Sequence, residues 1–311
     1  MIASVLIPNH NYARYVGSAI DSALAQTHPD VEVIVVDDGS DDESRSVISS
    51  YGDRITPVFR ENAGPVSALN AAFALSHGEL ICLLDADDLF ETHKVERVVA
   101  AAREMPDAYL IHHQLQPIDA EGRVRTPPFP RHVPNGDLRK RTRRSSGWFP
   151  HPVSSGLSFR RSYAERVFPI PEECAVAGSA HEASGVIADT YLAGPAALLR
   201  PVAGIHAPLA RYRMHGANRS TTVTRASTGA QMLRYEAEVA MVMAVMQQTF
   251  GMPVELGMDQ HLDYQLLRCA AGEISRPRVV ARVLRSASLP ITLRLREAVR
   301  VLARRGWAAS A

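Results

Sequence analysis

This chain of 311 residues has few cysteines and almost no net charge. Its three cysteines, Cys82, Cys174 and Cys269, are odd in number and irregularly spaced. That argues against a disulfide framework and a cysteine-based zinc site, and it fits a reducing compartment. The formal net charge is only +1, so the overall charge indicates no polyanionic partner, and we expect no nucleic acid to bind.

Several familiar sequence motifs are missing as well. No G-x-G-x-x-G follows the first apolar segment and no G-x-x-x-x-G-K-[ST] occurs, which removes the main support for a dinucleotide-dependent dehydrogenase or a P-loop NTPase. No G-x-S-x-G nucleophile elbow is present either. No apolar run reaches the length of a membrane span, and the chain starts in an apolar strand pattern. We therefore expect a cytoplasmic protein, with peripheral contact at the inner membrane face left open.

The most informative segment that is present lies at residues 83–88, where an apolar strand pattern runs directly into Asp85, Asp87 and Asp88. A buried strand end does not tolerate this much negative charge unless a cation neutralises it. Oxygen ligands suit Mg²⁺ or Mn²⁺, and such an ion usually shares its remaining sites with a substrate diphosphate. The alternative, that Asp88 caps a following helix, accounts for only one of the three carboxylates.

Strand and helix patterns alternate along the first hundred residues. This alternation predicts a parallel sheet with right-handed crossovers, whose ligands bind beyond the carboxyl ends of the strands. Three polar clusters, at residues 8–11, 37–40 and 85–88, follow predicted strands and should share that edge. The predicted strands cover residues 2–7, 31–36, 54–59 and 80–84, and the predicted helices cover residues 15–26, 42–51 and 66–76.

The rest of the chain is less regular. Residues 108–115 read as a strand. Residues 123–144 carry seven arginines and a lysine against one acid, which predicts a mobile basic loop, either a solvated surface or a site for an anion. From about residue 227 the pattern is helical and ends near Gly251. Its apolar stripe consists of Met232, Tyr235, Val239, Val242, Met246 and Phe250.

An arginine-rich segment follows this helix. Residues 276–305 hold nine arginines and only Glu297 as an acid, with aliphatic residues between them. Three interpretations stay open: contact with anionic lipid, a polar helix face, or a subunit contact that makes a homodimer through the C-terminal helices.

Six motifs follow one another along the chain: VLIPNHN at 5–11, VVDDGS at 35–40, NAG at 62–64, LDADD at 84–88, ADTYL at 188–192 and YRMHGAN at 212–218. In this order and spacing they resemble the large inverting family-2 glycosyltransferases of the GT-A fold. The resemblance covers about residues 1–220. It implies an α/β protein of GT-A fold, with a Rossmann-like, mostly parallel sheet flanked by helices and a C-terminal helical extension. A catalytic domain would occupy residues 1–225 and the extension residues 226–311.

The resemblance also implies a nucleotide-sugar donor, most often a UDP-sugar, and a divalent metal ion, Mn²⁺ or Mg²⁺. His10 stands where the family more usually has Tyr, and it would stack on the base. Asp38 would accept a hydrogen bond from the imide N–H of uracil or thymine, and Asp85 would orient its neighbours. The donor-binding residues implied are Pro8, His10, Asp38, Asp87 and Arg213, and the metal ligands implied are Asp88 and His215.

Asp189 matches the family's catalytic base by its place in the ADTYL motif. An apolar run precedes it, so partial desolvation would make its carboxylate more basic. Two alternatives remain: Asp189 caps a helix together with Thr190, or the neighbouring pair His181 and Glu182 supplies the acid and base. The acceptor would be a carbohydrate, a lipid-linked glycan or a small molecule with a hydroxyl group.

Residues 154–156, which follow Trp148 and Phe149, would form part of the acceptor side. Trp148 would either stack on a sugar or belong to the core. Two other functions remain possible for the chain as a whole. A nucleotidyltransferase would normally carry a glycine-rich loop after the first strand, which residues 8–11 lack. A non-catalytic nucleotide-sugar-binding or scaffolding subunit would keep the fold without turnover.

Overall fold

The structure is a computed structural model that describes residues 1–145, 147, 149–172, 184–215, 228–256, 264–265, 268 and 274–285. Eight strands form one sheet. They are β1 (Ala3–Asn9), β2 (Val31–Asp38), β3 (Thr56–Arg60), β4 (Leu80–Leu83), β5 (Leu89–Phe90), β6 (Leu110–Ile118), β7 (Leu157–Arg160) and β8 (Val202–Arg213).

The α-helices of the described residues lie between and after these strands. They are α1 (Ala13–Leu24), α2 (Ser44–Ser49), α3 (Pro65–Ala74), α4 (Lys94–Glu104), α5 (Arg139–Arg144), α6 (Arg161–Val167), α7 (Ser184–Leu199), α8 (Thr228–Gln248) and α9 (Arg276–Arg285). Short 3-10 helices occur at Gly52–Arg54 and Ser154–Gly156.

The sheet has the strand order β3-β2-β1-β4-β7-β6-β8-β5. The pairs β1–β2, β2–β3, β1–β4 and β6–β8 are parallel, whereas β7 runs antiparallel to β4 and β6, and β5 runs antiparallel to β8. The predicted mostly parallel sheet is therefore confirmed. The carboxyl ends of β1, β2 and β4 meet at one edge, as expected for parallel neighbours.

Helices cover both faces of this sheet. Successive residues of β1 enter opposite cores, with Val5 packing beneath α1, α2 and α4 and Leu6 beneath α3, α6 and α7. Because both faces are covered, the strands are apolar on both sides, and this explains the continuous apolar runs in the sequence. The core thus holds the strand ends rigidly and leaves the loops beyond them free to carry polar groups.

The predicted strands and helices of the first hundred residues are all present, with ends shifted by a few residues. β6 extends to Ile118, three residues beyond its predicted end. The prediction of a loop throughout residues 123–144 is wrong at its end, where α5 forms. Leu138 and Thr142 are buried on one side of α5, and this burial anchors a segment that is otherwise nearly all cationic.

The C-terminal part packs on the sheet domain through α8. Val239, Val242 and Met246 of the predicted apolar stripe are buried, in a cluster with Leu198 of α7. The side chain of Met232 lies outside the described residues, as do both sides of the predicted boundary at 225/226. Of the arginine-rich segment only α9 is described. Among the described residues, no helix has the length and apolarity needed to cross a bilayer.

Candidate active site

Three strand ends and one helix meet around a cavity of about 190 Å³. Its walls include Pro8 and His10 after β1, Asp38 at the end of β2, and Asp85 and Asp87 after β4. Asp189 of α7 and Ser154 also line it. The structure therefore brings together most of the residues singled out in the sequence, although they are spread over about 180 positions of the chain.

His10 lies at one end of this cavity, and hydrogen bonds orient its ring. Its Nδ1 is 2.9 Å from the backbone oxygen of Asp38, which only accepts, so Nδ1 carries the hydrogen. Nε2 is then an acceptor, and the side-chain amide of Asn62 lies 3.3 Å from it. The imidazole of His10 is thus held in one orientation where the nucleobase of a donor is expected.

Asp38 is almost completely buried beside His10. The backbone N–H of Ala63 donates to its Oδ1 at 3.1 Å, and that of Gly64 donates to its Oδ2 at 2.7 Å. The Nε of Arg60 lies 3.2 Å from Oδ1. Asp38 therefore holds residues 62–64 over the cavity, a contribution that the sequence alone did not reveal.

Gly39 makes this close approach of the loop possible. Its φ of +75° is unfavourable for any residue with a side chain, and a Cβ here would lie 2.5 Å from the backbone nitrogen of Asn62. Glycine is thus needed at position 39 for two reasons: the positive φ of the turn and the close contact with Asn62.

The acidic run forms the centre of the site. One carboxylate oxygen each from Asp85, Asp87 and Asp88 lie within 4.8 Å of one another. Asp88 is fully buried, and its carboxylate accepts hydrogen bonds from the Ser155 hydroxyl at 2.6 Å and from the Arg213 backbone N–H at 2.8 Å. Burial and then the charges of Asp87 and Asp85 raise its pKa well above the usual value.

Asp88 does not cap a helix. The next helix is α4, which begins at Lys94 after a cap position at His93. The alternative explanation of the acidic run is therefore wrong.

This donor set fits a divalent cation. Three carboxylates supply the hard oxygen ligands that Mg²⁺ and Mn²⁺ prefer. Burial and the neighbouring carboxylates raise the pKa of Asp88, as expected where negative charge is concentrated. His215 Nε2 lies 2.9 Å from Asp87 Oδ2, within hydrogen-bond distance, so the imidazole could join the carboxylates as a ligand.

His215 and Arg213 reach this centre from the end of β8. The His215 ring stacks on Tyr15, with centroids 5.1 Å apart, and its edge faces Tyr12. Its Nε2 is therefore aimed at Asp87 by packing on two aromatic rings. His215 thus lies beside the acidic run, where a metal ligand was expected.

Arg213 is buried, and its guanidinium faces backbone oxygens. Nε donates to the carbonyl of Asp87 at 2.8 Å and Nη1 donates to that of Ala120 at 3.0 Å. The cation also lies over the ring of Tyr15. Arg213 is absent from the cavity wall built by the described residues. These contacts favour a role in holding the acidic loop, and the donor-binding role that the resemblance implied for Arg213 stays a prediction.

Asp189 faces the acidic run from α7. It is buried, six residues into the helix rather than at its start, so the helix-cap alternative is wrong. The Ser154 hydroxyl donates to its Oδ1 at 2.6 Å. Burial, and after it the charge of Asp85, raises the pKa of Asp189 well above its ordinary value. The competing pair His181 and Glu182, the ring of Trp148 and residues 216–218 lie outside the described residues.

Two contributors were not recognised in the sequence. Ser155, which binds Asp88, was assigned only to the acceptor side. Tyr15, which supports both His215 and Arg213, was placed only in a helix pattern. The pairing of β7 with β4 explains the position of Ser155, because β7 starts just after the two serines and therefore places them beside the end of β4.

With this geometry established, we compared the chain with known proteins. The model of the family described as "Glycosyl transferase family 2" matches residues 4–168, more than half of the chain. An uncharacterized glycosyltransferase of Nostoc sp. (strain PCC 7120) is 35% identical over 252 residues, which cover 78% of this chain and 73% of that protein.

Two solved structures share the fold. S. aureus TarS in complex with UDP-GlcNAc aligns with a TM-score of 0.60 and 15% identity, over 97% of this chain and 88% of that one. A mannosyltransferase from Pyrobaculum calidifontis in complex with GDP-Man and Mn²⁺ aligns with a TM-score of 0.58 and 16% identity, over 98% of this chain and 81% of that one. At these identities the likeness concerns the fold.

Proposed function

The chain belongs to glycosyl transferase family 2, and from this premise we propose that it transfers one sugar from a UDP-sugar to a hydroxyl acceptor with inversion, using Asp189 as the base and a divalent ion. One observation carries the proposal. Asp85, Asp87 and the buried carboxylate of Asp189 line one cavity together with His10 and Asp38, and a carboxylate oxygen of Asp88 lies within 4.8 Å of those of Asp85 and Asp87.

The proposed reaction is a single displacement. A carboxylate oxygen of Asp189 takes the proton of the acceptor hydroxyl, whose oxygen forms a bond to the anomeric carbon. The bond from that carbon to the diphosphate oxygen breaks, and the nucleoside diphosphate leaves with the electron pair. A carboxylate with a raised pKa is suited to this task, because a base works best when its pKa approaches the working pH.

Asp87, Asp88 and His215 would hold the divalent ion, with Asp85 next to them. When bound, the ion supplies positive charge that stabilises the departing diphosphate. The chain's own contribution is to fix these ligands. Ser155 and the Arg213 backbone orient Asp88, and the ring of Tyr15 holds His215 in place. The mannosyltransferase from Pyrobaculum calidifontis, which was solved with Mn²⁺, supports a divalent ion in this fold.

The other end of the cavity supports uracil as the base. A carboxylate offers about four lone-pair positions, and the N–H groups of Ala63 and Gly64 donate to Asp38, which also forms an ion pair with Arg60. A lone pair left free can accept the single imide N–H of uracil or thymine. His10 would stack on the base. The complex of S. aureus TarS with UDP-GlcNAc supports this choice of nucleotide.

The two other functions lose their support. Family membership argues against a nucleotidyltransferase. The named relative is a glycosyltransferase, and the carboxylates that chemistry requires are assembled around the cavity, which argues against a non-catalytic subunit.

A thermal-shift panel tests the donor half of the proposal. UDP, dTDP, GDP and CDP are each added with and without Mn²⁺. A ligand at a hundred times its Kd stabilises the folded state by about 2.7 kcal/mol. We expect UDP to raise the Tm, and to do so strongly only with Mn²⁺. A larger metal-dependent shift with GDP would overturn the assignment of the base, and no shift with any nucleotide would overturn the donor site.

Incubation with UDP-sugars tests the catalytic half. We expect metal-dependent release of UDP, through slow hydrolysis or transfer to an added sugar acceptor. The configuration of the new glycosidic bond, read by NMR, distinguishes inversion from retention. Retention would refute a single displacement.

A further inference from the structure

Two consecutive serines contact the two parts of the site between which the chemistry would occur. Ser155 is fully buried, donates to Asp88 Oδ2 at 2.6 Å and accepts from the backbone N–H of Asp85 at 3.1 Å. Ser154 donates to Asp189 Oδ1 at 2.6 Å. One short turn therefore binds both a carboxylate of the acidic run and the carboxylate on α7.

We propose that Ser154 and Ser155 are positioning residues that hold the base and a metal-binding carboxylate in register through this single turn. The proposal rests on the function proposed above and adds to it a mechanical connection between the donor side and the acceptor side. Neither serine touches the reacting atoms in this scheme. Each acts through the carboxylate to which its hydroxyl is bound.

The turn is well suited to such a role because it is rigid. It is a 3-10 helix in which the Gly156 N–H donates to the Val153 carbonyl at 2.9 Å. A Cβ on Gly156 would collide with the ring of Pro152, so the backbone is closely packed against the preceding segment. Movement of one serine without the other would have to break these contacts.

The turn is also anchored to the strand that delivers the acidic run. It leads directly into β7, where Ser158 pairs with Cys82 of β4. Continuing this antiparallel register by three residues places Ser155 opposite Asp85. The bond between the Asp85 N–H and the Ser155 hydroxyl is what that register predicts. The position of the serines is thus fixed by the sheet.

The chemistry of the two hydroxyls explains why serine is needed. A hydroxyl that donates to a carboxylate forms a short, charge-assisted hydrogen bond, and it fixes the rotation of the carboxylate about its terminal torsion. Small misplacement of a catalytic group is costly, because the reacting atoms must approach to about 3–3.5 Å with correct alignment. Ser155 also accepts a bond, so its hydroxyl orients Asp88 relative to the loop that carries it.

Three variants test the proposal. In Ser154→Ala we expect kcat to fall about tenfold or more, which is the loss of one charge-assisted bond, with the donor KM within about twofold of wild type. Ser154→Thr keeps the hydroxyl and should restore most of kcat. In Ser155→Ala we expect the Mn²⁺ concentration that gives half of the UDP-induced Tm shift to rise about tenfold. This last measurement needs no turnover.

Ser50→Ala is the matched control. Its hydroxyl also makes one local hydrogen bond, to the Val47 carbonyl at 2.7 Å, at the exposed end of α2. We expect kcat, KM and Mn²⁺ dependence to stay at wild-type values. The Tm of each variant without ligand shows that it is folded, and Ser154→Thr serves if the alanine variant does not fold.

The outcomes separate this inference from the proposed function. Full kcat in Ser154→Ala and unchanged Mn²⁺ dependence in Ser155→Ala, in a wild-type enzyme that Asp189→Asn inactivates, would refute the positioning role alone. An equal loss of kcat in the alanine and threonine variants would also refute it for Ser154. If the wild type releases no UDP yet binds UDP with Mn²⁺, the catalytic proposal fails and Ser155→Ala still decides the role of Ser155.

Discussion

At one end of the cavity the carboxylate of Asp38 meets hydrogen-bond donors from the chain itself, whereas at the other end the carboxylates of Asp85, Asp87 and Asp88 lie against one another. The first end is neutralised by backbone N–H groups and by Arg60. At the second end, burial and like charge raise the pKa of Asp88. The charge at the first end is thus balanced by the chain itself, while the second end concentrates carboxylates that a cation would neutralise.

This contrast teaches how the two ends would share the binding of a donor. In the proposed function, the end with Asp38 would offer oriented hydrogen-bonding groups to a neutral nucleobase, so it would contribute selectivity with little dependence on ions. The end with the acidic run concentrates negative charge, so it cannot accept a diphosphate without a metal. Asp189, the proposed base, lies close to the second end, because the charge of Asp85 contributes to its raised pKa.

The largest effect, and the clearest separation of catalysis from donor binding, is expected in Asp189→Asn. We expect kcat to fall by about 10²–10⁴-fold, because an amide cannot take the acceptor's proton. The Mn²⁺-dependent Tm shift with UDP should persist. Steady-state kinetics and thermal shift measure the two effects, and the exposed Asp107→Asn serves as control. Wild-type turnover in Asp189→Asn would rule out its role as the base.

Asp88→Asn should remove the metal dependence of nucleotide binding. The Mn²⁺-dependent part of stabilisation by UDP, about 2.7 kcal/mol at a hundred times Kd in the wild type, should disappear. The metal-free variant should be at least as stable as the wild type, because a buried, repelled charge has been removed. A retained Mn²⁺-dependent shift would show that Asp88 is not a ligand.

Asp38→Asn tests the other end on its own. We expect UDP to bind roughly tenfold more weakly, because the amide loses charge-assisted bonds to residues 63 and 64 and one acceptor toward the base. The Mn²⁺ concentration at half effect should not change. A titration of UDP at saturating Mn²⁺, repeated with dTDP and GDP, measures the loss. A change in Mn²⁺ dependence would contradict the separation of the two ends.

The pH dependence of stability provides the smallest effect. The pKa of Asp88 in the folded state is raised above its ordinary value near 3.8, so its contribution is fully present below that pH and is lost as pH rises through the folded pKa. Without divalent ions, the difference in unfolding free energy between Asp88→Asn and wild type should grow with pH, by at most about 1.4 kcal/mol per unit.

Urea unfolding at several pH values between 4 and 8 measures this difference. The difference between two proteins is used because His112 and His113 act in the opposite direction. Burial lowers their pKa values to about 4 and about 3, so both proteins lose stability equally as the pH falls below 6.5. A difference that stays constant with pH would contradict the raised pKa of Asp88.

Sequence patterns predicted the sheet, and they predicted that the acidic run shares one sheet edge with the polar clusters after β1 and β2. Both predictions depend on local periodicity and on the rule that parallel strands end together. Asp38 was placed correctly at the cavity, but its bonds to Ala63 and Gly64 were not foreseen, since they depend on how a later loop folds back. The same limit applies to Arg213. The resemblance implied it as a donor-binding residue, and only the coordinates show that its guanidinium also donates to backbone oxygens.

The sequence did not predict α5, the helix at the end of the basic segment, for a related reason. Arg139 to Arg144 contain almost no apolar residue, so periodicity gives no helix there. The helix forms because Thr142 and the preceding Leu138 are buried. Tertiary packing of two side chains outweighed the composition of the segment.

The position of β5 in the sheet shows that the acidic run also connects two strands that are far apart in the sheet order. β4 and β5 are four strand spacings apart in the sheet order, a distance of about 19 Å across a flat sheet. Six peptide steps from Leu83 to Leu89 connect them and reach about 20 Å when fully extended. Yet the Asp88 N–H bonds to the Asp85 carbonyl, so the connection is folded into a turn.

The sheet must therefore curl to bring β5 back toward β4, and residues 84–88 act as a tether across this curve. The length of this tether matters as much as its carboxylates, because one inserted residue would slacken it. The curvature of the sheet and the spacing of the carboxylates would then vary independently. Redesign of this centre must therefore preserve loop length together with the three carboxylates.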